Sequence, residues 1–431
     1  MSSGGIYQPR WEAIKLRQYV AVRTGFAFPS DSFTESGIPV IRISDIASDG
    51  SVMFDSVKYM PPETVASHRN YLVRGGEIVM AMTGAPGKAG RLPPQEIALL
   101  NQRVCVMSSR SAKLDQEFLW YLIQSHPYQS YIRATAVGSA QANISDSQLT
   151  DYRVAVPASA DEQVSIAHFL DRETAKIDAL IVKQEQLIAT LREDRTATIT
   201  HAVTKGLDPT VEMKESGVDW IGRVPTHWTV PQIGMNARIG NGSTPARDEP
   251  RYWSGGTVPW LNSSHVNSEE ITETDQYVTD SAYRECHLPM VTPGSVLVGL
   301  TGQGKTRGMA SVLLTKATIN QHLAYITPTS AQLDSLYLHR VLASAYGLLR
   351  ELSDENGSTK GGLTCGTLRK IRIPLPPVAE QQAIAQSLRQ TCGRIDALIN
   401  KANAVTATLR EFRSALITDA VTGKIDVRGA A

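Results

Sequence analysis

Two stretches of the chain decide its fold: residues 161–181, DEQVSIAHFLDRETAKIDALI, and residues 379–399, AEQQAIAQSLRQTCGRIDALI. They lie 218 residues apart and share a Glu-Gln pair, an Ile-Ala pair and the run Ile-Asp-Ala-Leu-Ile. In both stretches apolar residues recur at alternating steps of four and three. A period of 3.5 residues is typical of the interface of a coiled coil, so each stretch predicts a long helix with a helical partner.

The predicted helices extend well beyond the quoted stretches. No proline or glycine interrupts the chain between Pro157 and Gly206, and about 45 helical residues would make a rod of about 65 Å. Since the second helix matches the first, we expect the two to pair within the chain. The predicted helix-pair interface consists of Ile166, Leu170, Ile177, Leu180, Leu187, Leu191, Ile384, Leu388, Ile395, Leu398 and Leu409.

The repeat covers the whole chain rather than the helices alone. Trp11 matches Trp228, and Asn101-Gln102 matches Asn320-Gln321. Self-similarity at a fixed offset indicates a duplicated structural unit. We therefore predict four segments: head 1 (1–156), a first spacer helix (157–206), a connector with head 2 (207–372) and a second spacer helix (373–431).

Each head reads as a compact α+β domain. Short β-branched runs at 38–43, 77–81 and 295–298 predict strands, and turn-forming residues bound them. Residues 114–124 and 333–345 predict helices. The stretch 206–228 is rich in Gly, Pro and acidic residues, so we expect it to be a connector outside any core.

Composition excludes several classes of protein. The chain has 431 residues, 42% of them hydrophobic, which is ordinary for a globular protein. No apolar stretch approaches the roughly 18 residues of a membrane helix, and the first residues lack a signal peptide, so we expect a cytoplasmic protein without membrane contact. The four cysteines are scattered, which predicts neither a metal cluster nor a disulfide framework.

One short motif suggests nucleotide chemistry. Residues 299–306, GLTGQGKT, fit the phosphate-binding P-loop pattern, with Lys305 as the phosphate-binding lysine. A P-loop continues into a helix, whereas the following residues RGMASVLL predict a strand. The matching residues of head 1, MTGAPGKA, keep Lys88 but lose the hydroxyl. A loop between strands is favoured, and a P-loop NTPase stays as the alternative.

No catalytic centre is predicted elsewhere. The chain contains no Asn-Pro-Pro-Tyr/Phe motif of adenine methyltransferases and no G-x-S-x-G nucleophile motif. The sequence therefore predicts a protein that is not an enzyme by itself.

The segments where head meets helix resemble a known family. The heads end in LTDYRVAVP (149–157) and LRKIRIPLP (368–376), and the helices open with DEQ-x-x-IA (161–167) and EQQAIA (380–385). These segments, with the connector KGLDPTVEMKESGVDWIGRVPTHW (205–228), resemble the specificity subunit of type I restriction–modification systems. The resemblance covers essentially the whole chain, although the heads themselves carry no shared motif.

The resemblance implies a fold and a set of partners. It implies two pseudo-twofold-related target recognition domains, joined by two long antiparallel coiled-coil helices, each domain reading one half of a bipartite site in double-stranded DNA. The helices would set the spacing between half-sites and dock two modification (methyltransferase) subunits, and restriction subunits would join the complex. No cofactor is expected in this chain, because S-adenosylmethionine, ATP and Mg²⁺ would lie on the partner subunits. The specificity subunit of a related restriction–modification class is a second alternative.

Candidate DNA contacts lie in loops of both heads. Lys and Arg suit guanine or phosphate, and Gln and Asn suit adenine. The candidates are Thr83, Lys88, Arg91, Ser139, Gln141 and Asn143 in head 1, and Thr301, Lys305, Arg307, Ser358, Thr359 and Lys360 in head 2.

The nearly neutral charge does not exclude DNA. The formal charge is +1, with 43 basic and 42 acidic side chains. The charge is unevenly distributed, since residues 1–156 carry +2 and residues 157–208 carry −3. If partner subunits hold much of the DNA, the isolated chain is expected to bind it weakly.

Overall fold

The computed structural model describes residues 11–138, 142–302, 304–354 and 362–427. The chain divides into two compact units, Met1–Glu185 with Asn403–Ala431 (unit 1) and Gln186–Ala402 (unit 2). Each unit contains one head and a segment of each long helix, so neither head is built from its own half of the chain alone.

Unit 1 contains ten strands and the first helices of the chain. The strands are β1 (Trp11–Lys15), β2 (Val20–Thr24), β3 (Ile38–Ile41), β4 (Lys58–Met60), β5 (Leu72–Arg74), β6 (Ile78–Ala81), β7 (Ala89–Arg91), β8 (Ile97–Leu100), β9 (Val104–Ser109) and β10 (Arg153–Pro157). The helices are α1 (Thr64–Ser67), α2 (Gln116–Gln124), α3 (His126–Thr135), α4 (Asp146–Thr150) and the long α5 (Ala160–Lys205), which continues into unit 2.

The strands of head 1 form two four-stranded sheets and a two-stranded one. The first sheet has the order β2-β9-β6-β7 and is antiparallel; the second has the order β4-β3-β8-β5, in which β3 and β8 run parallel. Alternate residues of β6 belong to different cores, because successive side chains of a strand point to opposite faces. Ile78 and Met80 pack in the cluster that contains α2, whereas Val79 packs in the cluster of the second sheet.

Unit 2 repeats this plan. Its strands are β11 (Met213–Glu215), β12 (Arg223–Pro225), β13 (Ala237–Asn241), β14 (Val258–Leu261), β15 (Glu270–Ile271), β16 (Tyr277–Val278), β17 (Val296–Gly299), β18 (Ala310–Leu313), β19 (Thr318–Ile319) and β20 (Leu323–Pro328). Its helices are α6 (Asp280–Glu285), α7 (Ser335–Ser344), α8 (Tyr346–Asp354), α9 (Cys365–Lys370) and α10 (Val378–Val421), which continues into unit 1. The sheet orders are β13-β20-β17-β18-β15 and β16-β14-β19; β14 runs parallel to β19, as β3 does to β8 in head 1, and β15 also runs parallel to β18.

A buried glutamine joins each head to the helix that follows it. Gln163 accepts a hydrogen bond from the Asp115 amide (2.8 Å) and donates to the carbonyls of Lys113 and Pro157 (2.9 Å each). Both members of its amide group are therefore satisfied in the core, as burial requires. The same arrangement recurs in unit 2, where Gln381 bonds the Asp334 amide (2.9 Å) and the carbonyls of Gln332 and Pro376 (2.7 Å each).

The long helices pair antiparallel within each unit. In unit 1, Arg413 contacts Asp178 (2.9 Å) and Arg410 contacts Glu185 (2.8 Å). Residue numbers fall along α10 as they rise along α5, so the two helices run in opposite directions. In unit 2, Arg195 contacts Asp396 at 3.0 Å. At the repeat offset of 218 residues, Asp178 corresponds to Asp396 and Arg195 corresponds to Arg413. The half-buried ion pair of unit 1 is therefore equivalent to that of unit 2.

The predicted helix-pair interface is wrong at three positions. Leu180, Leu187 and Leu398 are 47%, 46% and 50% exposed, while Thr174 and Ile188 are buried. The spacing alone permits both sets of positions, because each gives steps of three and four from its buried neighbours. Thr174 tolerates burial because its hydroxyl donates to the Leu170 carbonyl of the preceding turn (2.6 Å).

The connector is partly a core element, contrary to expectation. Strands β11 and β12 form a hairpin, and Ile221, Val224 and Trp228 are buried in the main core of unit 2. The Trp228 indole N–H donates to the Glu380 carboxylate (3.1 Å), which lies in the first turn of α10. The Gly and Pro residues lie at the turns of this segment. Its overall composition therefore resembles that of a connector, although the apolar residues between the turns are buried.

The P-loop pattern is an antiparallel hairpin. Strand β17 pairs with β18 on either side of residues 300–309, and β18 follows where a P-loop would continue into a helix. The matching residues of head 1 likewise join the antiparallel strands β6 and β7. In the described part of the chain, no helix is long and apolar enough to span a membrane.

Candidate nucleic-acid interface

A glycine fixes the start of one exposed loop in each head. A Cβ on Gly25 would lie 2.1 Å from the Asn101 carbonyl oxygen, and one on Gly242 would lie 1.7 Å from that of Ile319. Only glycine lets the main chains approach so closely. The Gly25 loop (25–33) and the Gly242 loop (242–249) therefore leave the two heads at equivalent points, beside the parallel strand pair.

Polar side chains connect the Gly242 loop to a predicted DNA contact. The Thr244 hydroxyl donates to the Gln321 amide oxygen (2.5 Å), and the Gln321 amide nitrogen lies 3.4 Å from His322 Nε2. His322 Nδ1 lies 2.8 Å from the hydroxyl of Thr301. Thr301 thus belongs to a continuous polar surface of head 2, in which Gln321 and His322 are exposed.

Head 1 brings two predicted contacts together. The Thr83 hydroxyl donates to the Asn143 side-chain oxygen at 2.7 Å, and the backbones of these residues form an isolated bridge. Among the described residues the side-chain amide nitrogen of Asn143 has no hydrogen-bond partner, and a side-chain amide can bond the edge of an adenine. Lys88 ends the hairpin loop that begins at Thr83, in a turn closed by its own amide on the Ala85 carbonyl (3.1 Å).

The two predicted arginines are engaged within their heads. Arg91 pairs with Glu117 (2.6 Å) and lies over the Trp120 ring, 4.8 Å from the ring centroid. Arg307 is only 7% exposed and pairs with Asp354 at 2.7 Å. Both hold the hairpin against a following helix or its end, which is a structural role; contact with DNA stays a prediction for both.

Lys305 is exposed on the hairpin of head 2. The Tyr346 hydroxyl donates to the Lys305 carbonyl (2.8 Å) and Arg350 donates to the Gly304 carbonyl (2.5 Å), so α8 holds the backbone below the lysine. An exposed lysine on a backbone held in this way suits phosphate contact. The predicted residues Ser139, Gln141, Ser358, Thr359 and Lys360 lie outside the described residues.

Sequence reasoning missed an arginine in the Gly242 loop. The Arg247 guanidinium lies 4.2 Å from the ring centroid of Trp253 and 5.0 Å from that of Trp260. A basic residue interleaved with aromatic residues was the available signal. It went unnoticed because the loop has no match in head 1, where the corresponding residues are FAFPSDSF.

Two buried titratable side chains of the described residues are held in their neutral forms. The described residues contain no group of three or more His, Cys, Asp or Glu side chains that could hold a metal ion. Burial raises the pKa of Cys105 to about 12, so this thiol stays protonated and is a poor nucleophile. Burial and the neighbouring Arg340 lower the pKa of His339 to about 4, and its ring bonds the Ala310 carbonyl (3.1 Å) inside the core.

The family model "Type I restriction modification DNA specificity domain" matches the chain twice, at residues 9–189 and 225–407. Each match spans a head and the first part of the helix that follows. The duplication seen in the sequence is therefore a duplication of this family's domain.

Curated relatives are also specificity subunits. The type I restriction enzyme MjaIX specificity subunit of Methanocaldococcus jannaschii is 30% identical over 181 residues, 41% of this chain and 40% of that protein. The EcoBI specificity subunit of Escherichia coli is 22% identical over 439 residues, 96% of this chain and 86% of that protein. The chain thus spans about two fifths of the first relative and most of the second.

Solved structures share the fold. A chain from a structural study of complex assembly and conformational transition of the type I R-M system gives a TM-score of 0.68 at 20% identity, over 97% of this chain and all of that one. The HsdS subunit from Thermoanaerobacter tengcongensis gives 0.51 at 18% identity, over 98% of this chain and all of that one. The duplicated heads, the long helices and the two family matches lead to one conclusion: this chain belongs to the type I restriction–modification DNA specificity family.

Proposed function

We propose that this chain is the non-catalytic specificity subunit of a type I restriction–modification complex, and that each head reads one half of a bipartite DNA site. The observation that carries the proposal is the repeated attachment of a head to a long helix, made by Gln163 in unit 1 and Gln381 in unit 2. Identical attachment of two heads with different loops suits two half-sites of different sequence.

The paired helices support the role of a spacer. Helices α5 and α10 have 46 and 44 residues, and equivalent ion pairs fix their antiparallel register in each unit. A stiff helix holds a defined length, because each residue adds about 1.5 Å. The distance between half-sites would follow from this length.

An exposed apolar stripe supports docking of the methyltransferase subunits. On α10, Leu398, Val405 and Phe412 recur every seven residues and are about half exposed; on α5, Leu180 and Leu187 show the same spacing. A heptad stripe outside the helix pair is the kind of surface that further helices cover. We propose that two modification subunits bind it, that restriction subunits join them, and that these partners carry S-adenosylmethionine, ATP and Mg²⁺.

The P-loop alternative is not favoured. The lysine loop joins two antiparallel strands in both heads, and the helix N-terminus that would bind phosphate is replaced by β18. Lys305→Ala should therefore leave intrinsic nucleotide binding unchanged. The related restriction–modification class differs in its partner chains, and co-purification of an adenine methyltransferase would distinguish the two.

The test is the methylation pattern made by the complex. The chain is co-expressed with its methyltransferase subunits in a host free of such systems, and modified adenines are mapped by sequencing. We expect a split motif with an unspecified gap, and exchange of head 2 alone should change one half of it. An ungapped motif, or methylation without sequence preference, would overturn the proposal.

A further inference from the structure

Arg247 lies on an aromatic platform in head 2. Its guanidinium carbon is 4.2 Å from the ring centroid of Trp253 and 5.0 Å from that of Trp260. The two indoles pack edge to face, with centroids 5.3 Å apart, and Trp260 is 1% exposed. A cation over indole faces is attracted by the ring quadrupole, so the guanidinium has a preferred position before any ligand arrives.

The same tryptophans hold the backbone of the Gly242 loop. The indole N–H of Trp253 donates to the Ala246 carbonyl (2.9 Å), and that of Trp260 donates to the Ser243 carbonyl (3.1 Å). Together with the close approach of Gly242 to Ile319, these bonds hold the loop backbone at three points that precede Arg247. Arg247 is thus placed by its backbone as well as by its side chain.

The guanidinium of Arg247 has no carboxylate or carbonyl partner among the described residues. Nearby Arg251 differs, since it pairs with Glu285 at 3.1 Å and lies over the Tyr252 ring. Arg247 is exposed and borders an open cleft of about 510 Å³ together with Trp253, Asp275, Gln276 and Tyr277. Its donors are therefore available to a ligand that enters this cleft.

The equivalent place in head 1 has aromatic walls without an arginine. Phe26 and Phe28 of the Gly25 loop pack with His68 and Tyr71, with ring centroids of Phe26 4.8 Å from His68 and 5.1 Å from Tyr71. Phe26, Phe28 and His68 border a cleft of about 420 Å³. The attachment glutamines are the same in both units, whereas these clefts differ in charge. Divergence at an exposed place of this kind is expected where two heads read different sequences.

We propose that Arg247 determines specificity in head 2 by contacting a guanine of its half-site. The planar guanidinium can donate two hydrogen bonds to O6 and N7 of guanine in the major groove. The polar chain from Thr244 to Thr301 extends the same surface. This inference rests on the proposed function.

The experiment compares Arg247→Ala and Arg247→Lys in the complete methyltransferase complex. Modified adenines are mapped, and methylation rates are measured on duplexes that carry each base at every position of the second half-site. Both variants should lose preference for guanine at one position by about 10-fold or more, and the first half-site should stay unchanged. Lysine keeps the charge but loses the bidentate fork, so it should retain more overall activity than alanine while losing discrimination.

Arg251→Ala is the matched control, because Arg251 also lies over an aromatic ring but is paired with a carboxylate; it should leave the motif unchanged. Thermal unfolding of each variant shows whether head 2 stays folded, and Trp253→Phe provides a second variant that keeps a ring under Arg247. We expect it to weaken the guanine preference less than Arg247→Ala.

Three outcomes would overturn the inference while the proposed function stands: a wild-type second half-site without guanine, an unchanged motif in Arg247→Ala, or an equal loss on all sequences, which would indicate a phosphate contact. A wild-type complex without any split motif would instead refute the proposed function itself.

Discussion

Gln163 and Gln381 each satisfy three main-chain groups from inside a core. Their amides replace the water that the N-terminal amide of α2 or α7 and two loop carbonyls would otherwise need. The sequence marks these residues only as part of a repeated Glu-Gln pair at a helix start. The role of the glutamine in attachment could not be predicted, because two of its three main-chain partners lie 47 to 50 residues away in the chain.

Gln381→Leu should lower the free energy of unfolding by roughly 3 kcal/mol or more. Leucine fills similar volume but leaves three buried polar groups without partners, at about 1–3 kcal/mol each. Urea denaturation measures the change. Gln382→Leu is the control, because Gln382 is the next residue in the chain and its side chain is exposed. Equal stability of the two variants would contradict the attachment role.

Antiparallel pairing of α5 and α10 depends on which face each helix buries. The sequence predicted both long helices and several of the strands, such as β3, β6 and β17, because apolar periods and β-branched runs are local signals. It could not choose the register, since Leu180 and Ile181 both continue a step of three or four. Ion pairs such as Asp178–Arg413 join residues far apart in the chain, and only the folded unit reveals them.

Reversing one charge of this pair should be more harmful than reversing both. Asp178→Arg places two arginines together and should cost about 1 kcal/mol, whereas Asp178→Arg with Arg413→Asp should recover part of the loss. A double-mutant cycle, measured by urea denaturation at low and at high salt, gives the coupling free energy between the two side chains. This coupling should weaken as the salt concentration rises. Strictly additive effects would show that the pair does not help to set the register.

We expect the two units to differ in their response to acid because of one buried histidine. In unit 2, His339 lies in α7 at the place that Trp120 occupies in α2. Burial and Arg340 hold the pKa of His339 near 4, against an ordinary value of 6.5. Between these values the unfolded chain binds a proton that the folded chain does not, so stability falls as pH decreases from about 6.5 to about 4.

We expect unit 2 to lose up to about 3 kcal/mol over this window through His339. His339→Gln, which keeps a donor for the Ala310 carbonyl but does not titrate, should flatten the dependence. Hydrogen exchange of α7 peptides at pH 7 and pH 5, corrected for intrinsic rates, measures the effect, and α2 peptides serve as the internal comparison. A parallel change in wild type and variant would assign the acid sensitivity to other groups.

At the scale of the whole molecule, the repeat in the sequence points to some residues of the candidate interface and not to others. The hairpin lysines and Thr83 with Asn143 stand out because both copies of the repeat present loops there. Arg247 does not, since its environment comes from Trp253, Trp260 and a glycine contact that join separate segments. Loops that differ between the copies are the least visible to repeat analysis, although they are where two heads can differ in specificity.

The division into two units also determines the order in which the heads can finish folding during synthesis. Unit 2 is one continuous segment, Gln186–Ala402, whereas unit 1 needs Asn403–Ala431 in addition to Met1–Glu185. The core of unit 1 includes Ile417, Ala420 and Val421, which are translated after both heads. Translation proceeds at about 5–20 residues per second, so the core of unit 1 stays incomplete for tens of seconds after head 1 has been made. Unit 2 can fold as soon as its own residues have left the ribosome. The first head to be translated is therefore the last to be completed.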